Sequence, residues 1–284
     1  MIERLGIVGG GQMGAGIAEV AARAGSSVLV MEVNADLAER SLSRLTTSLD
    51  RAVSKGKLPE SDRDSTLGRI TYTTHLGDFG DRQLAIEAVT EDEGLKLDIF
   101  RSLDRAMPAD AILASNTSSI PITRLAAATE RPESVVGMHF FNPVPVMGLM
   151  ELVTTVRTDA PIADAAEAYG SDVLGKTVIR AKDRGGFIVN MLLVPYLVGG
   201  IRMLEQGVAT REDIDAGMRL GANHPMGPLE LSDYIGLDTM KLVADVLFEE
   251  FKEAMYASPP LLSRMVEAGL LGRKTGAGFY DYPA

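Results

Sequence analysis

The chain of 284 residues contains no cysteine and no tryptophan, and its histidines number only three. The absence of cysteine excludes disulfides, thiolate catalysis and cysteine-based zinc or iron–sulfur sites. An intracellular, cytoplasmic location is therefore the simpler expectation. The histidines at positions 75, 139 and 224 leave few candidates for an imidazole acid or base.

Positive charge and long apolar runs are also scarce. The formal net charge of -11 argues against nonspecific binding of nucleic acid, because a polyanion would be repelled. The first ten residues have neither the charged leader nor the apolar segment of a secretion signal. The most apolar later stretch, 187–201, is too short to span a bilayer and predicts a buried helix. We expect neither nucleic acid nor a membrane as a partner.

The length favours two domains. Short apolar runs alternate with helical segments in the first part, which predicts an α/β fold with a Rossmann-type, doubly wound parallel sheet. From about residue 185 helical patterns dominate, so we place domain boundaries at 1–184 and 185–284, the second domain being smaller and all-α. Predicted strands cover 5–8, 27–31, 84–89, 111–114 and 135–138, and predicted helices cover 12–24 and 36–57.

A glycine loop follows the first predicted strand. Its spacing is G-x-G-x-x-G, formed by Gly9, Gly11 and Gly14, with Gln12 and Met13 between the last two. In a dinucleotide-binding unit, the three glycines permit the tight turn, the approach of backbone to the pyrophosphate and close helix packing. Glycine clusters also form plain turns, but a strand before the loop and a helix after it favour the cofactor interpretation.

Glu32 stands at the end of the second predicted strand, eighteen residues beyond Gly14. A carboxylate at this position accepts hydrogen bonds from ribose hydroxyls and repels the additional phosphate of NADP. The alternative is a solvated surface glutamate. With the glycine loop, Glu32 predicts NAD as the cofactor.

Two polar groups follow later predicted strands. His139 comes directly after a strand, and Glu151 lies twelve residues further on. A carboxylate that orients a histidine makes the imidazole a stronger base, although a lone histidine is more often structural. The Ser-Asn-Thr-Ser-Ser run at 115–119 is either a polar site or a helix N-cap, with Ser119 or Thr123 as the capping residue.

These motifs together resemble the 3-hydroxyacyl-CoA dehydrogenase family, particularly its short 3-hydroxybutyryl-CoA dehydrogenase members. The resemblance extends from the first strand to the last five residues, in order and with nearly matching spacing. The segments that carry it are SNTSS, GMHFFNPVPVM, GFIVNMLLVPYL, ANHPMGPLEL and GRKTGAGFYDY.

The resemblance implies roles for individual residues. His139 is the catalytic base, Glu151 orients it, and Ser118 and Asn190 contact the substrate oxygen. Asn142 lies near both nicotinamide and substrate, and Ser48 and Lys55 match positions that touch CoA, although Lys55 is equally well explained as a solvated lysine. Further NAD contacts fall on the glycine loop with Gln12 and Met13, and on Glu32, Glu91, Lys96, Asn116 and Lys274.

The implied reaction is the NAD-dependent interconversion of a short-chain 3-hydroxyacyl-CoA and its 3-oxoacyl-CoA. Since Asn190 falls in the second domain, we expect the site in a cleft between domains, and a homodimer formed through the C-terminal domain. The chain departs from the family where relatives commonly carry lysine, at Gly148, and proline, at Gly185.

The departure at Gly148 leaves the acyl carrier open, so a carrier-protein thioester is an alternative substrate. A non-catalytic NAD-binding protein is a second alternative. The intact set of Ser118, His139, Glu151 and Asn190 argues against it.

Overall fold

A computed structural model describes residues 2–282 of the chain. It divides into two compact units, Met1–Arg184 and Gly185–Ala284. Within the described residues, no helix combines the length and the apolar character needed to cross a membrane.

The N-terminal unit is built on one sheet of eight strands with the order β3-β2-β1-β4-β5-β6-β7-β8. The first six strands follow the 3-2-1-4-5-6 order of a Rossmann sheet. The strands are β1 Arg4–Val8, β2 Ser27–Met31, β3 Ile70–Thr73, β4 Leu84–Glu87, β5 Ile112–Ser115, β6 Val135–Phe140, β7 Leu149–Thr154 and β8 Thr177–Lys182.

Helices cover this sheet. Every residue of β4, β5 and β6 is buried, and since successive side chains point to opposite faces, both faces of the central sheet are covered. The predicted α/β fold is thereby confirmed. The helices are α1 Gln12–Arg23, α2 Ala35–Ser54, α3 Glu60–Leu67, α4 Glu93–Ala106, α5 Ile122–Ala126 and α6 Ala160–Ala168, the last continued by a π-helical turn at Tyr169–Val173.

All neighbouring strands are parallel except β6 and β7, which pair antiparallel with His139 opposite Glu151. The sequence patterns did not predict β3, β7 or β8. Strands β3 and β8 are only partly buried, so their side chains lack the uninterrupted apolar run of a central strand. The helix predicted at 36–57 ends earlier, at Ser54, because Gly56 adopts a positive φ of 65°.

Among residues 185–282, the C-terminal unit has its own apolar core, to which five α-helices and the non-helical residues Tyr256 and Phe279 contribute. The five helices are α7 Val189–Glu205, α8 Arg211–Ala216, α9 Pro228–Ile235, α10 Leu237–Phe251 and α11 Pro260–Glu267. The stretch 187–201, predicted as a buried helix, forms most of α7, but burial is limited to one face. Val194, Leu197 and Val198 are in the core, whereas Leu192 is 73% exposed.

Two buried aspartates fix the last described residues to this core. Asp233 accepts hydrogen bonds from the backbone amides of Phe279 and Tyr280 at 2.9 Å each and from the hydroxyl of Tyr282 at 3.0 Å. Asp215 accepts one from the Tyr280 hydroxyl at 2.9 Å. Burial raises the pKa of Asp233, and these donors only partly offset that effect.

Candidate active site

The glycine loop connects β1 to α1 with the geometry that a dinucleotide needs. Gly9 has a φ of 95°, which only glycine adopts without strain. A Cβ on Gly14 would overlap the carbonyl oxygen of Gly9, whereas one on Gly11 would meet no atom within 4 Å. Gly14 therefore serves close packing, and Gly11 faces open space.

The first turn of α1 has unused hydrogen-bonding capacity. Its N-cap, Gly11, has no side chain to accept the first amides, and the first turn contains no acidic residue. Free N–H groups and the positive end of the helix dipole favour a pyrophosphate here. The residues present therefore fit the phosphate portion of NAD.

Glu32 extends from the end of β2 to the same loop. Its Oε1 accepts a hydrogen bond from the Gly10 amide at 2.6 Å. A Cβ on Gly10 would lie only 3.2 Å from that oxygen and would overlap the Ser41 hydroxyl. The contact fixes the carboxylate beside the loop, so Glu32 is not a freely solvated surface glutamate.

His139 and Glu151 form a buried pair on adjacent strands. The strand register places them opposite each other, and His139 Nδ1 lies 2.6 Å from Glu151 Oε2. The ring of Phe141 packs against the imidazole with its centroid 4.7 Å away. The structure thus brings together the two residues that the sequence proposed as base and orienting carboxylate.

The 115–119 run is held by Glu91 rather than used as a helix cap. Glu91 Oε1 accepts hydrogen bonds from the Thr117 and Ser119 hydroxyls and from the Ser118 amide at 3.1 Å. The Ser118 hydroxyl has no hydrogen-bond partner among residues 2–282 and is half-buried.

The capping alternative for Ser119 or Thr123 is wrong. Helix α5 has Pro121 at its N-cap, without a side-chain cap. Instead, the carboxylate of Asp183 accepts hydrogen bonds from the amides of Ile122 at 2.8 Å and Thr123 at 2.7 Å. The first amides of α5 are therefore capped by the carboxylate of Asp183, which is distant in sequence, and not by the hydroxyl of Ser119 or Thr123.

Lys96 lies in a buried ion pair that the sequence patterns did not predict. It is 1% exposed, and its ammonium group contacts Glu87 at 2.6 Å and Glu91 at 3.3 Å. Glu87 also accepts a hydrogen bond from the Ser115 hydroxyl at 2.7 Å. The available signal was a charged residue ending the otherwise apolar strand Leu84–Glu87.

The charge of Lys96 affects Glu91. Burial raises the pKa of Glu91, but the ammonium group of Lys96 and the hydroxyls of Thr117 and Ser119 outweigh it and bring that pKa below its ordinary value. Glu91 is therefore an anion that organises the loop containing Ser118.

Two asparagines stand at the ends of neighbouring strands. Asn116 follows β5, and its Oδ1 accepts a hydrogen bond from the Phe140 amide at 2.9 Å. Asn142 follows β6, is exposed, and accepts one at 3.0 Å from the Gln12 side chain. Gln12 thereby joins the glycine loop to the end of β6, while Met13 packs on the domain core.

The other sequence-predicted residues lie elsewhere. Ser48, on α2, hydrogen-bonds the buried carboxylate of Glu19, and Lys55 is exposed at the C-cap of the same helix. In the C-terminal unit, Asn190 lies in the first turn of α7. Lys274 forms an ion pair with Asp238, with contacts of 2.5 and 2.6 Å.

Comparison with known proteins gives matches over almost the whole chain. Residues 4–184 match the NAD binding domain of 3-hydroxyacyl-CoA dehydrogenase, and residues 186–282 match its C-terminal domain. A 3-hydroxybutyryl-CoA dehydrogenase from Mycobacterium tuberculosis is 59% identical over 282 residues, with 99% of each chain covered.

Solved structures agree with the sequence comparison. The crystal structure of M. tuberculosis FadB2 matches with a TM-score of 0.98 and 59% identity over 99% of each chain. That of (S)-3-hydroxybutyryl-CoA dehydrogenase PaaH1 from Ralstonia eutropha matches with a TM-score of 0.95 and 44% identity over 100% of each. The chain belongs to the 3-hydroxyacyl-CoA dehydrogenase family.

Proposed function

We propose that this protein catalyses the NAD-dependent interconversion of a short-chain (3S)-hydroxyacyl-CoA and its 3-oxoacyl-CoA, with 3-hydroxybutyryl-CoA and acetoacetyl-CoA as substrates. The observation that carries the proposal is the buried contact of 2.6 Å between His139 and Glu151. It stands at the end of a strand in a domain whose glycine loop fits a dinucleotide. Relatives named 3-hydroxybutyryl-CoA dehydrogenase support the acyl chain and the carrier.

The proton chemistry follows from the two ring nitrogens of His139. Glu151 accepts a hydrogen bond from Nδ1–H, which leaves Nε2 unprotonated and able to take the proton of the 3-hydroxyl group. The imidazolium that forms is stabilised by the carboxylate, and in the reverse direction it donates the proton to the 3-keto oxygen. NAD, when bound, accepts the hydride from C3.

The substrate oxygen needs a donor opposite the imidazole. Ser118 is suited to this task because its hydroxyl has no other partner among the described residues and its amide is fixed by Glu91. Asn190 is proposed as a second contact from the C-terminal domain, and Ser48 and Lys55 as contacts to CoA. Correct orientation of C3 is worth several orders of magnitude in rate.

For the cofactor, we assign the pyrophosphate to the loop of Gly9, Gly11 and Gly14 with the amides of Gln12 and Met13, and the ribose to Glu32. Asn116 and Asn142 are proposed near the nicotinamide, with Lys274 as a further contact. Glu91 is proposed to contact NAD directly. Lys96 is proposed to affect NAD binding through Glu91, since the ammonium group of Lys96 is enclosed by the carboxylates of Glu87 and Glu91.

We further propose that residues 1–184 form the NAD-binding domain and residues 185–284 the substrate and dimerisation domain of a cytoplasmic homodimer. In such a dimer we expect exposed apolar side chains of the C-terminal unit to be covered, among them Leu192, which is 73% exposed, and Leu220, which is 86% exposed. Sedimentation velocity tests it. A monomer at micromolar concentration would contradict the proposal.

Reduction of acetoacetyl-CoA, compared with NADH and with NADPH, tests the reaction and the cofactor together. We expect a much higher kcat/KM with NADH, because the Glu32 carboxylate repels the 2′-phosphate of NADPH. Efficient turnover with NADPH would contradict the role of Glu32. No turnover with either cofactor would contradict the proposal that acetoacetyl-CoA is a substrate.

A carrier-protein thioester remains a second candidate because of Gly148. A Cβ at this exposed position would meet no atom within 4 Å, so packing does not exclude a lysine there. The absent charge removes one attraction for the anionic CoA moiety. A higher kcat/KM for the carrier-bound thioester than for the CoA thioester would favour this candidate.

A further inference from the structure

Lys176 is a buried lysine that is not among the residues assigned to proton transfer, substrate binding or NAD binding. It lies just before β8, is 8% exposed, and forms no ion pair with a carboxylate among residues 2–282. Its ammonium group donates hydrogen bonds to the carbonyl oxygens of Val144 and Met147, each at 2.7 Å. Burial lowers the pKa of Lys176, and the nearby charge of Arg23 adds to the effect. Burying a lysine without a carboxylate partner lowers the stability of the fold, so we expect its two hydrogen bonds to have a function that explains why a lysine stands here.

The two carbonyls belong to the loop of residues 141–148 that joins β6 to β7. This loop contains two prolines, Pro143 and Pro145, which have no N–H to donate. The carbonyl of Pro143 accepts the amides of Val146 and Met147, at 2.9 and 3.0 Å. The Lys176 ammonium group provides the donors that the loop cannot supply to the carbonyls of Val144 and Met147.

The opposite side of the loop contacts helix α1. Val144 is buried against Gly16, where an added Cβ would lie 3.0 Å from the Val144 Cβ. Asn142 accepts a hydrogen bond from Gln12, at the start of the same helix. The loop is therefore fixed between α1 on one side and Lys176 on the other, and Asn142 connects it to Gln12 of the glycine loop.

We propose that Lys176 is a positioning residue for the reaction, whose ammonium group holds the 141–148 loop so that Asn142 stands correctly at the end of β6. The inference rests on the proposed function, in which Asn142 lies beside the nicotinamide and the substrate. Lysine suits the task because three rotatable donors on one charged group bind two carbonyls at once.

Lys176→Met tests this inference, since methionine keeps an unbranched apolar stem and removes every donor. We expect kcat for acetoacetyl-CoA reduction to fall on the order of tenfold or more, because small misplacements of a positioning group have large effects on rate. KM for acetoacetyl-CoA should change less than kcat. Lys182→Met, at an exposed lysine of β8, is the matched control and should leave both unchanged.

A double-mutant cycle with Asn142→Ala separates positioning from general stability. If Lys176 acts through Asn142, adding Lys176→Met to Asn142→Ala should lower kcat less than twofold further. Additive losses in kcat would overturn the inference, because a structural defect would act in either background. If the methionine variant does not fold, Lys176→Gln takes its place in the same cycle, because glutamine removes the charge and carries its two amide N–H donors on a shorter side chain.

NADH binding, followed by nicotinamide fluorescence, provides a second readout of the cycle. A non-additive change in the fluorescence of bound NADH is expected for the same pair of substitutions. If the wild-type protein binds NADH but does not reduce acetoacetyl-CoA, the proposed function fails. The fluorescence arm still tests the coupling between Lys176 and Asn142, and additive effects in it would overturn the inference.

Discussion

His139 and Glu151 are partners because of strand pairing. They are twelve residues apart in sequence, yet the antiparallel register of β6 and β7 places them directly opposite each other. Opposing residues in such a pair have Cβ atoms about 5 Å apart, which brings the imidazole of His139 and the carboxylate of Glu151 within hydrogen-bonding reach. Both residues were identified from sequence, but their contact depends on a strand that the sequence patterns missed.

Glu151→Gln should lower kcat on the order of a hundredfold or more while the protein stays folded. The amide keeps the shape of the side chain but cannot stabilise the imidazolium that forms in the transition state. Steady-state reduction of acetoacetyl-CoA with NADH measures the effect, with exposed Glu60→Gln as control. An unchanged kcat would mean that Glu151 is only structural.

Glu19 should make stability depend on pH. Burial raises the pKa of this carboxyl, and hydrogen bonds from Ser48 and Arg23 only partly oppose the shift. The folded state therefore binds the proton more tightly than the unfolded state, and its stability falls as the pH rises from 4.5 through the raised pKa.

Glu19→Gln removes that part of the pH dependence. Urea unfolding followed by circular dichroism, at several pH values from 4.5 upward, measures it against the Glu60→Gln control. The variant should show a shallower loss of stability with rising pH than the wild type. Parallel curves for the two proteins would contradict the assignment to Glu19.

At the scale of elements, the unit formed by β1, α1 and β2 was the part most fully predicted. Strand β2 was placed at its observed bounds, and the glycine spacing located the turn before α1. Strands β3 and β8 were missed because side chains on partly exposed strands need not be apolar. The ion pair of Glu87 and Lys96 was also missed, since its burial depends on how α4 packs against β4.

Two glycines of the same loop should respond differently to alanine. Gly14→Ala should lower stability by at least about 1 kcal/mol, because the new methyl group overlaps the Gly9 carbonyl. Gly11→Ala should lower stability less than Gly14→Ala, because no atom lies within 4 Å of the added Cβ and only the N-cap preference for glycine over alanine is lost. It should nevertheless weaken NADH binding at least tenfold by occupying space assigned to the pyrophosphate.

Urea unfolding and NADH titration of both variants test this pair. Equal losses of stability would contradict the packing role of Gly14. Unchanged NADH affinity in Gly11→Ala would contradict the cofactor role of the loop.

At the scale of the whole molecule, each compact unit has its own core and its own polar anchors. In the C-terminal unit, Asp233→Ala should destabilise the fold by on the order of 3 kcal/mol, because it leaves the buried amide of Phe279 and its neighbour Tyr280 without acceptors. Thermal unfolding measures the loss, with Asp281→Ala, at an exposed carboxylate, as control. A change below 1 kcal/mol would contradict the anchoring role.

The sequence indicated this C-terminal segment only as a motif. Positions 272 and 278 of the GRKTGAGFYDY motif require glycine, because a Cβ at either position would overlap Asp233. The carboxylate and the glycines are distant in sequence, so their contact could be found only from the folded chain.

The same anchor has a consequence for synthesis on the ribosome. Phe279 is part of the C-terminal core, and the amides that satisfy Asp233 belong to Phe279 and Tyr280. Asp215 and Asp233 are buried in the folded unit. Until residues 279 and 280 leave the exit tunnel, both carboxylates lack the hydrogen bonds that these residues donate. The N-terminal unit can complete its sheet while translation continues, whereas the helical unit closes only after its final segment has emerged.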